Sequence, residues 1–354
     1  MDLTFKKKIL VAPLNWGLGH STRCIPIINA LIKANFEPIV ASDGNALLLL
    51  QKEFPFLKSY ELPSYNVKYS KSGKNLKFKL LLSIPSIISA VKREKKAVTK
   101  IVKEEGIIGI ISDNRFGVYN AKIPSVYLTH QLNVLSGNTS FITSKVHQKF
   151  IKKFTECWVP DVLGKSNLSG DLGHIKNTSF KVKYIGNLSR FQPKQMETKY
   201  NIMVLLSGPE PQRTLLEEKL FNELKNYKGK VLFVRGVLNE IDKISAPENF
   251  RIVNYMLSNE LEKALNESDS IISRSGYSTI MDLAALGKKA FFIPTPGQFE
   301  QEYLAKYLSE KNVTPFINQG DFRKDYLNDL GKYSGLNLIN TNLNLSLFKL
   351  FKSE

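Results

Sequence analysis

Lys8-Ile9-Leu10-Val11-Ala12-Pro13, continued after Leu14 by Asn15-Trp16-Gly17-Leu18-Gly19-His20-Ser21-Thr22-Arg23, is the stretch whose reading decides the fold. Its first part is a short apolar run rich in branched residues. Its second part is a glycine-bearing turn, and Ile25, Ile28 and Ile32 follow at helical spacing. The order is strand, glycine turn, helix. Apolar strand signals return at 38–42, 107–112 and 125–129 with helical stretches between them. This alternation predicts a parallel sheet of crossover units, in an α/β domain over 1–188.

The polar, proline-bearing segment 189–199 reads as a linker, after which the alternation restarts. Strands are predicted at 201–206, 230–235, 250–254, 270–273 and 290–294, and helices at 212–226, 259–266, 277–286 and 299–311. A second α/β domain therefore occupies 200–335, and 336–354 reads as a helical tail that packs back on the N-terminal domain. The length of 354 residues agrees with two domains at roughly 150 residues each. Two such domains facing a central cleft would place function at the carboxyl ends of their strands.

Hydrophobic residues at 43% and charged residues at 23% exclude a disordered, collagen-like or coiled-coil chain. Cys24 and Cys157 lie far apart in sequence, so neither a disulfide framework nor a clustered zinc site is readable. The apolar run after Lys8 ends at Asn15, too short for a signal-peptide core. The stretch 80–91, interrupted by Ser83, Pro85, Ser86 and Ser89, falls short of the roughly 18 residues of a spanning helix. The expected location is the cytoplasm, peripheral to the inner face of the membrane.

Charge is the unusual quantity, with a formal net of +18. Between 68 and 105 there are 11 Lys and Arg against 3 Glu, and they surround the apolar 80–91. An apolar segment with a cationic rim suits an anionic membrane surface, and a lysine-solvated helix is the competing reading. No zinc-finger or RNP-type signature accompanies the charge, so nucleic acid is not expected as a partner.

Gly17-Leu18-Gly19-His20 can bring backbone N–H groups and a helix N-terminus to an anion. Thr22 stands where the dinucleotide fingerprint needs its third glycine, and no P-loop lysine is present. A histidine at such a helix start can serve as a base, which marks His20. In a second cluster, Arg274-Ser275-Gly276-Tyr277-Ser278-Thr279-Ile280-Met281-Asp282, a strand ends in Ser-Gly and a helix begins. Its first turn and the hydroxyls of Ser275, Ser278 and Thr279 suit a diphosphate, and Asp282 suits a ribose diol. A capped helix with a surface aspartate is the plainer alternative. No two aspartates are spaced as D-x-D, and His147 and His174 have no partner at ligand spacing. No metal is expected, and N–H groups and helix dipoles would stabilise a leaving group.

Gly17-Leu18-Gly19-His20, the stretch from Arg274 through Leu286-Gly287, and Pro294-Thr295-Pro296-Gly297-Gln298-Phe299-Glu300-Gln301-Glu302 together resemble the GT-B nucleotide-sugar glycosyltransferases. The likeness is to the peptidoglycan N-acetylglucosaminyl transferase branch, spans both domains and is most specific over 271–305. The resemblance implies two Rossmann-like domains and an inverting, metal-independent glycosyltransferase. It would move a hexosyl or N-acetylhexosaminyl group from a UDP-sugar, UDP-N-acetylglucosamine included, to a lipid-linked or cell-envelope glycan acceptor. No cofactor is implied beyond the UDP-sugar co-substrate.

By the same resemblance, Ser207, Gly208, Ser275, Gly276 and Tyr277 match positions that hold the donor diphosphate. Met256 matches the backbone site for uracil, Asp282 stands where a ribose-binding Glu is placed, and Glu300 and Gln301 match sugar-hydroxyl contacts. His20 would accept the proton. Asp113, just after a strand, stands where related small-molecule glycosyltransferases keep an aspartate that orients the histidine, although a turn residue is the alternative. Gly17, Gly19, His130, Gln131 and Asn133 match the acceptor side, although a buried, hydrogen-bonded histidine is the alternative for His130. Two departures from the pattern are the short Gly17-to-His20 loop and Ser207-Gly208-Pro209-Glu210 in place of a more glycine-rich donor loop. Gly17 through Arg23-Cys24 also resembles the UDP-sugar hydrolases of sialic-acid-like sugar pathways, in which water would replace the acceptor. A non-catalytic GT-B binding subunit is a third reading.

Overall fold

Ile9, Leu10, Val11 and Ala12 are fully buried in β1 (Lys8–Pro13), as a strand covered on both faces requires. The structure is a computed structural model that describes residues 6–65, 76–137, 139–237, 245–337, 339 and 342–352, with side chains excepted over 76–86. The chain forms two compact units. The first holds the described residues up to Leu188 together with those of Thr341–Glu354, and the second holds those of Ser189–Asn340.

Among the described residues the first unit contains seven strands: β1, β2 (Glu37–Ser42), β3 (Ser59–Glu61), β4 (Ile107–Asp113), β5 (Ser125–Leu128), β6 (Glu156–Val159) and β7 (Val182–Tyr184). All pair in parallel, in the order β3-β2-β1-β4-β5-β6-β7. Helices α1 (Gly19–Lys33), α2 (Gly44–Glu53), α3 (Leu76–Glu105) and α4 (Ser140–Ile151) lie in the connections. Strands β3, β6 and β7 fall outside the sequence-based set. They are three or four residues long and carry Glu61, Glu156 and Lys183, too little apolar pattern to register.

Of the basic stretch 68–105, residues 68–75 and the side chains of 76–86 lie outside the described residues. Helix α3 continues through Pro85, and Lys92, Arg93, Lys95, Lys96, Lys100 and Lys103 are exposed on it. Among the described residues no helix is long and apolar enough to cross a membrane.

The second unit repeats the plan with β8 (Tyr200–Leu205), β9 (Val231–Val234), β10 (Phe250–Val253), β11 (Ser268–Ser273) and β12 (Lys289–Phe292), all parallel in the order β10-β9-β8-β11-β12. Its helices are α5 (Gln212–Leu224), α6 (Ser258–Asn266), α7 (Tyr277–Ala285) and α8 (Phe299–Glu310). The 189–199 segment is held against this unit. Gln192 N–H donates to Glu262 (3.1 Å), Lys194 N–H to Asn266 (2.9 Å) and Lys199 Nζ to Glu267 (2.7 Å).

The C-terminal segment forms a 3-10 turn at Leu345–Phe351 on the first unit. There Phe348 packs edge-on to Phe36 at 6.1 Å between centroids, and Phe348 and Phe351 both lie 6.3 Å from Trp158. Residue 109 on β4 must be glycine for this, because a Cβ there would collide with the Phe351 ring.

Both sheets reverse their strand order at one place, between β1 and β4 in the first and between β8 and β11 in the second. In an open parallel sheet that reversal leaves a crevice at the carboxyl ends of the two strands, because their following loops turn to opposite faces. The two candidate chemistries of the sequence, His20 with Asp113 and Ser207-Gly208 with Ser275-Gly276, follow those four strands.

Candidate active site

Pro13 of β1 lies opposite Asp113 of β4 in the parallel register, and Leu14 N–H donates to the Asp113 carbonyl at 2.9 Å. Beyond Leu14 the chain turns through Gly17, whose φ of 79° favours glycine. It enters α1 at Gly19, so His20 sits in the first turn above the end of β4. Asn114 takes a φ of 56° directly after the strand, a left-handed conformation that asparagine tolerates. His20 Nδ1 lies 2.8 Å from Asp113 Oδ1.

Asp113 is fully buried. Burial alone would raise its carboxyl, yet the Arg23 guanidinium and the His20 imidazole outweigh burial and hold it at about 2. Arg23, itself buried, grips the carboxylate side-on, with Nε donating to Oδ2 at 2.5 Å and Nη2 to Oδ1. Arg23 Nη1 reaches His130 Nδ1 at 2.8 Å, and Nη2 reaches His20 Nδ1 at 2.8 Å. The Cys24 thiol lies 3.7 Å from Asp113 Oδ2, and burial together with that carboxylate pushes it up. With the Nδ1 proton donated to Asp113, the His20 Nε2 lone pair is available to a substrate proton.

The neighbouring strand ends are fixed by a second buried set. Arg115, fully buried, donates through Nη1 to Asp43 (2.6 Å), through Nε to Glu94 (2.5 Å) and through Nη2 to the Pro63 carbonyl (2.8 Å). Asn15 Nδ2 donates to the other Asp43 oxygen at 3.1 Å, and the Tyr65 hydroxyl donates to Glu94 at 2.6 Å. These bonds tie the loops after β1, β2 and β4 together, which restrains the frame around His20.

The expected acceptor-side residues follow β5. His130 is buried and joined to Arg23. Gln131 N–H donates to Thr129 Oγ1 at 3.1 Å. Asn133 spends its amide on the next loop, with Nδ2 donating to the Asp171 carbonyl at 2.6 Å, and Leu132 and Asn133 N–H both donate to the Leu172 carbonyl. Asn133 therefore shapes the 130–134 loop, and Gly17 and Gly19 shape the loop before α1.

In the second unit, Ser207 and Gly208 leave β8, and Gly208 has a φ of 107°. Gly276 caps the N-terminus of α7 after β11, and Tyr277 is buried, so its contribution to an anion would come from the backbone. The Ser275 hydroxyl already donates to the Gln301 carbonyl at 2.8 Å. Gln301 in turn accepts from Thr295 N–H at 2.8 Å and donates to Gln298 at 2.6 Å, so it orders the β12–α8 loop. Glu300 begins the first turn of α8, and Met256 is buried in the loop between β10 and α6. Asp282, on α7, accepts from the Ser189 hydroxyl at 2.6 Å. Desolvation pushes its carboxyl up to about 6, against the lowering pull of Arg190 and Ser189.

Arg23, Arg115 and Arg274 lie outside the site residues that the sequence marks. Arg23 falls one turn after His20 among apolar neighbours, and an arginine at a core-facing helical position is the signal that marks it. Arg274 is buried under the second crevice. Among the described residues its guanidinium donates only to neutral oxygens, of Ile293 (3.1 Å), Pro294 (3.0 Å), Gln212 (2.8 Å) and Gln319 (2.7 Å), and desolvation lowers it to about 9. Arg274 Nε, Gln212 Oε1 and Thr295 Oγ1, all buried, have no hydrogen-bond partner among the described residues. Unpaired buried polar atoms of this kind are rare in finished cores, and an ordered water, an ion or a binding role accounts for them. Among the described residues no three His, Cys, Asp or Glu are grouped as a metal site.

The Asp113–Arg23 pair gives the first unit a defined pH response. An unfolded aspartate titrates near 4 and the folded one at about 2. The pair's contribution is therefore complete above about pH 4 and is lost as pH falls toward 2. Asp113→Asn leaves a buried, uncompensated guanidinium and is expected to cost about 3–5 kcal/mol. Denaturant unfolding at pH 7 measures this, and a loss below about 1 kcal/mol, the worth of an exposed pair, would contradict the buried pairing.

Comparison with known proteins follows the same division. Residues 211–332 match the glycosyltransferase family 28 C-terminal domain. Over 352 aligned residues the chain is 24% identical to the UDP-N-acetylglucosamine–N-acetylmuramyl-(pentapeptide) pyrophosphoryl-undecaprenol N-acetylglucosamine transferase of Haemophilus influenzae (strain PittEE), covering 94% of this chain and 92% of that protein. Among solved structures, the spinosyn forosaminyltransferase SpnP superposes with a TM-score of 0.62 at 14% identity, and Acinetobacter baumannii MurG with 0.54 at 16%. Each alignment covers 92% of this chain and 90% of the other. The chain is a glycosyltransferase of the GT-B fold that resembles the peptidoglycan N-acetylglucosaminyl transferases.

Proposed function

We propose that the protein transfers a sugar from a UDP-sugar to a lipid-linked or cell-envelope glycan acceptor by a metal-independent, inverting single displacement. The observation that carries this reading is the His20–Asp113 contact of 2.8 Å at the first crevice, which leaves His20 Nε2 to remove a proton from the acceptor hydroxyl. The hydroxyl oxygen then attacks the anomeric carbon from the face opposite the departing UDP, so configuration inverts. UDP leaves with the bonding electron pair. Backbone N–H groups at Ser207-Gly208 and at the start of α7 receive the diphosphate charge, and the buried Arg274 cation beneath them favours it. The uracil pairs with the backbone at Met256, the ribose diol with Asp282, and the sugar hydroxyls with Glu300, while Gln301 holds the β12–α8 loop that leads to Glu300.

The relatives support this choice of substrates, since the Haemophilus transferase is named for a UDP-sugar donor and an undecaprenol-linked acceptor. The membrane reading draws on the exposed lysines of α3 and on Phe141, Ile142 and Val146 of α4. These three are 74%, 65% and 52% exposed, and Lys145 Nζ lies 5.5 Å from the Phe141 ring centre. Apolar side chains with a cationic rim suit an anionic bilayer, where each basic residue near the surface contributes about 1 kcal/mol.

His20→Ala is expected to lower turnover about 10²- to 10⁴-fold with the protein still folded, and near-normal turnover would remove His20 from the mechanism. Calorimetric titration with UDP should show saturable binding that weakens as pH falls through about 6, the point at which Asp282 takes up a proton. Asp282→Asn should bind more weakly and lose that dependence. Retained tight binding in Asp282→Asn would separate Asp282 from the ribose. Incubation with a UDP-sugar alone should release free sugar only slowly, and release at the full rate would favour the hydrolase. Liposome flotation should show association with anionic vesicles at low salt that high salt abolishes, and no association with either neutral or anionic lipid would eliminate the membrane surface.

A further inference from the structure

His20 Nδ1 faces two groups of opposite charge. Asp113 Oδ1 and Arg23 Nη2 both lie 2.8 Å from it. A neutral imidazole satisfies them one at a time. It donates to the carboxylate as the Nδ1–H tautomer, which frees Nε2 as a base, or it accepts from the guanidinium as the Nε2–H tautomer. An ionised carboxylate alone would accept only, and its charge would draw a second proton onto the ring. A ring so protonated has no lone pair with which to act as base.

We propose that Arg23 is the positioning residue of His20, cancelling the charge of Asp113 so that the carboxylate orients the imidazole without charging it. The proposal rests on the reading of His20 as the proton acceptor. The titratable groups of the cluster are His20, Arg23 and Cys24 on α1, Asp113 at the end of β4, and His130 after β5. Asp113 and Arg23 carry one charge of each sign, and they are in contact through both carboxylate oxygens. Arg23 Nη1 also donates to His130 Nδ1, which fixes His130 as the Nε2–H tautomer and joins the loop after β5 to the same guanidinium. Arg23 itself is buried, so it acts through His20 and Asp113.

Ring nitrogen-proton correlation spectra across a pH titration test this without any need for turnover, so a failed transferase reading leaves it decidable. The chain has four histidines, and the signal lost in His20→Gln assigns the relevant one. In Arg23→Gln the His20 ring should take its second proton about one or more pH units above the wild type, and in Asp113→Asn below it. The double variant Arg23→Gln/Asp113→Asn should titrate within about half a unit of the wild type, since neither charge remains. It buries no unpaired charge, so it stays folded where a single variant does not. Arg23→Lys, which restores the charge without the fork, should lie between the wild type and Arg23→Gln. An unmoved titration in folded Arg23→Gln would overturn the proposal and leave Arg23 a structural bolt. So would a double variant displaced from the wild type by a full unit or about that much.

Discussion

The parallel pairing of β1 with β4, in the register that sets Pro13 against Asp113, is the constraint on which the first unit's chemistry depends. These are adjacent central strands whose connections turn to opposite sides, so the loop after β1 and the last residue of β4 meet at one edge. From there the arrangement follows with little freedom. Leu14 bonds to the Asp113 backbone, Gly17 lets the chain reverse, α1 begins at Gly19, and the helical repeat carries Arg23 to the same carboxylate that His20 meets. A slip of one residue between β1 and β4 would turn the side chain of Asp113 to the opposite face.

The second unit uses the same topology with the opposite electrostatic logic. In the first crevice each buried charge has a partner: Arg23 has Asp113, and Arg115 has Asp43 and Glu94. Under the second crevice Arg274 is surrounded by carbonyl and amide oxygens, and polar atoms of Arg274, Gln212 and Thr295 have no partner among the described residues. Burying a cation among neutral groups costs free energy that an arriving anion can offset. A balanced site suits proton transfer, and an unbalanced one suits a leaving group that bears negative charge.

Much of this was legible in the sequence, because long buried parallel strands leave continuous apolar runs and glycine turns announce the crevice. The run ending at Pro13, the Gly17-to-His20 turn and the Ser-Gly start of α7 marked both parallel sheets and the turns that follow β1 and β11. The short edge strands β3, β6 and β7 were not legible, since three or four residues with a charged member carry no period. Nor was the hub. Arg23 and Arg115 owe their importance to partners 90, 72 and 21 residues away in sequence, and that distance closes only when the sheet forms. Ser275, Asn133 and Gln301 illustrate the converse, since their residue type suits ligand binding while their hydrogen bonds are spent on neighbouring loops.

The proposed donor chemistry occupies the second switch point, where strand ends carry the Ser-Gly turns over an unbalanced buried cation. The most direct measurement is a crystal structure of the protein with UDP. Density for the diphosphate is expected over Ser207-Gly208 and the first turn of α7, with uracil against the backbone at Met256 and ribose at Asp282. UDP bound elsewhere in saturating crystals, with the carboxyl ends of β8 and β11 left open, would contradict it.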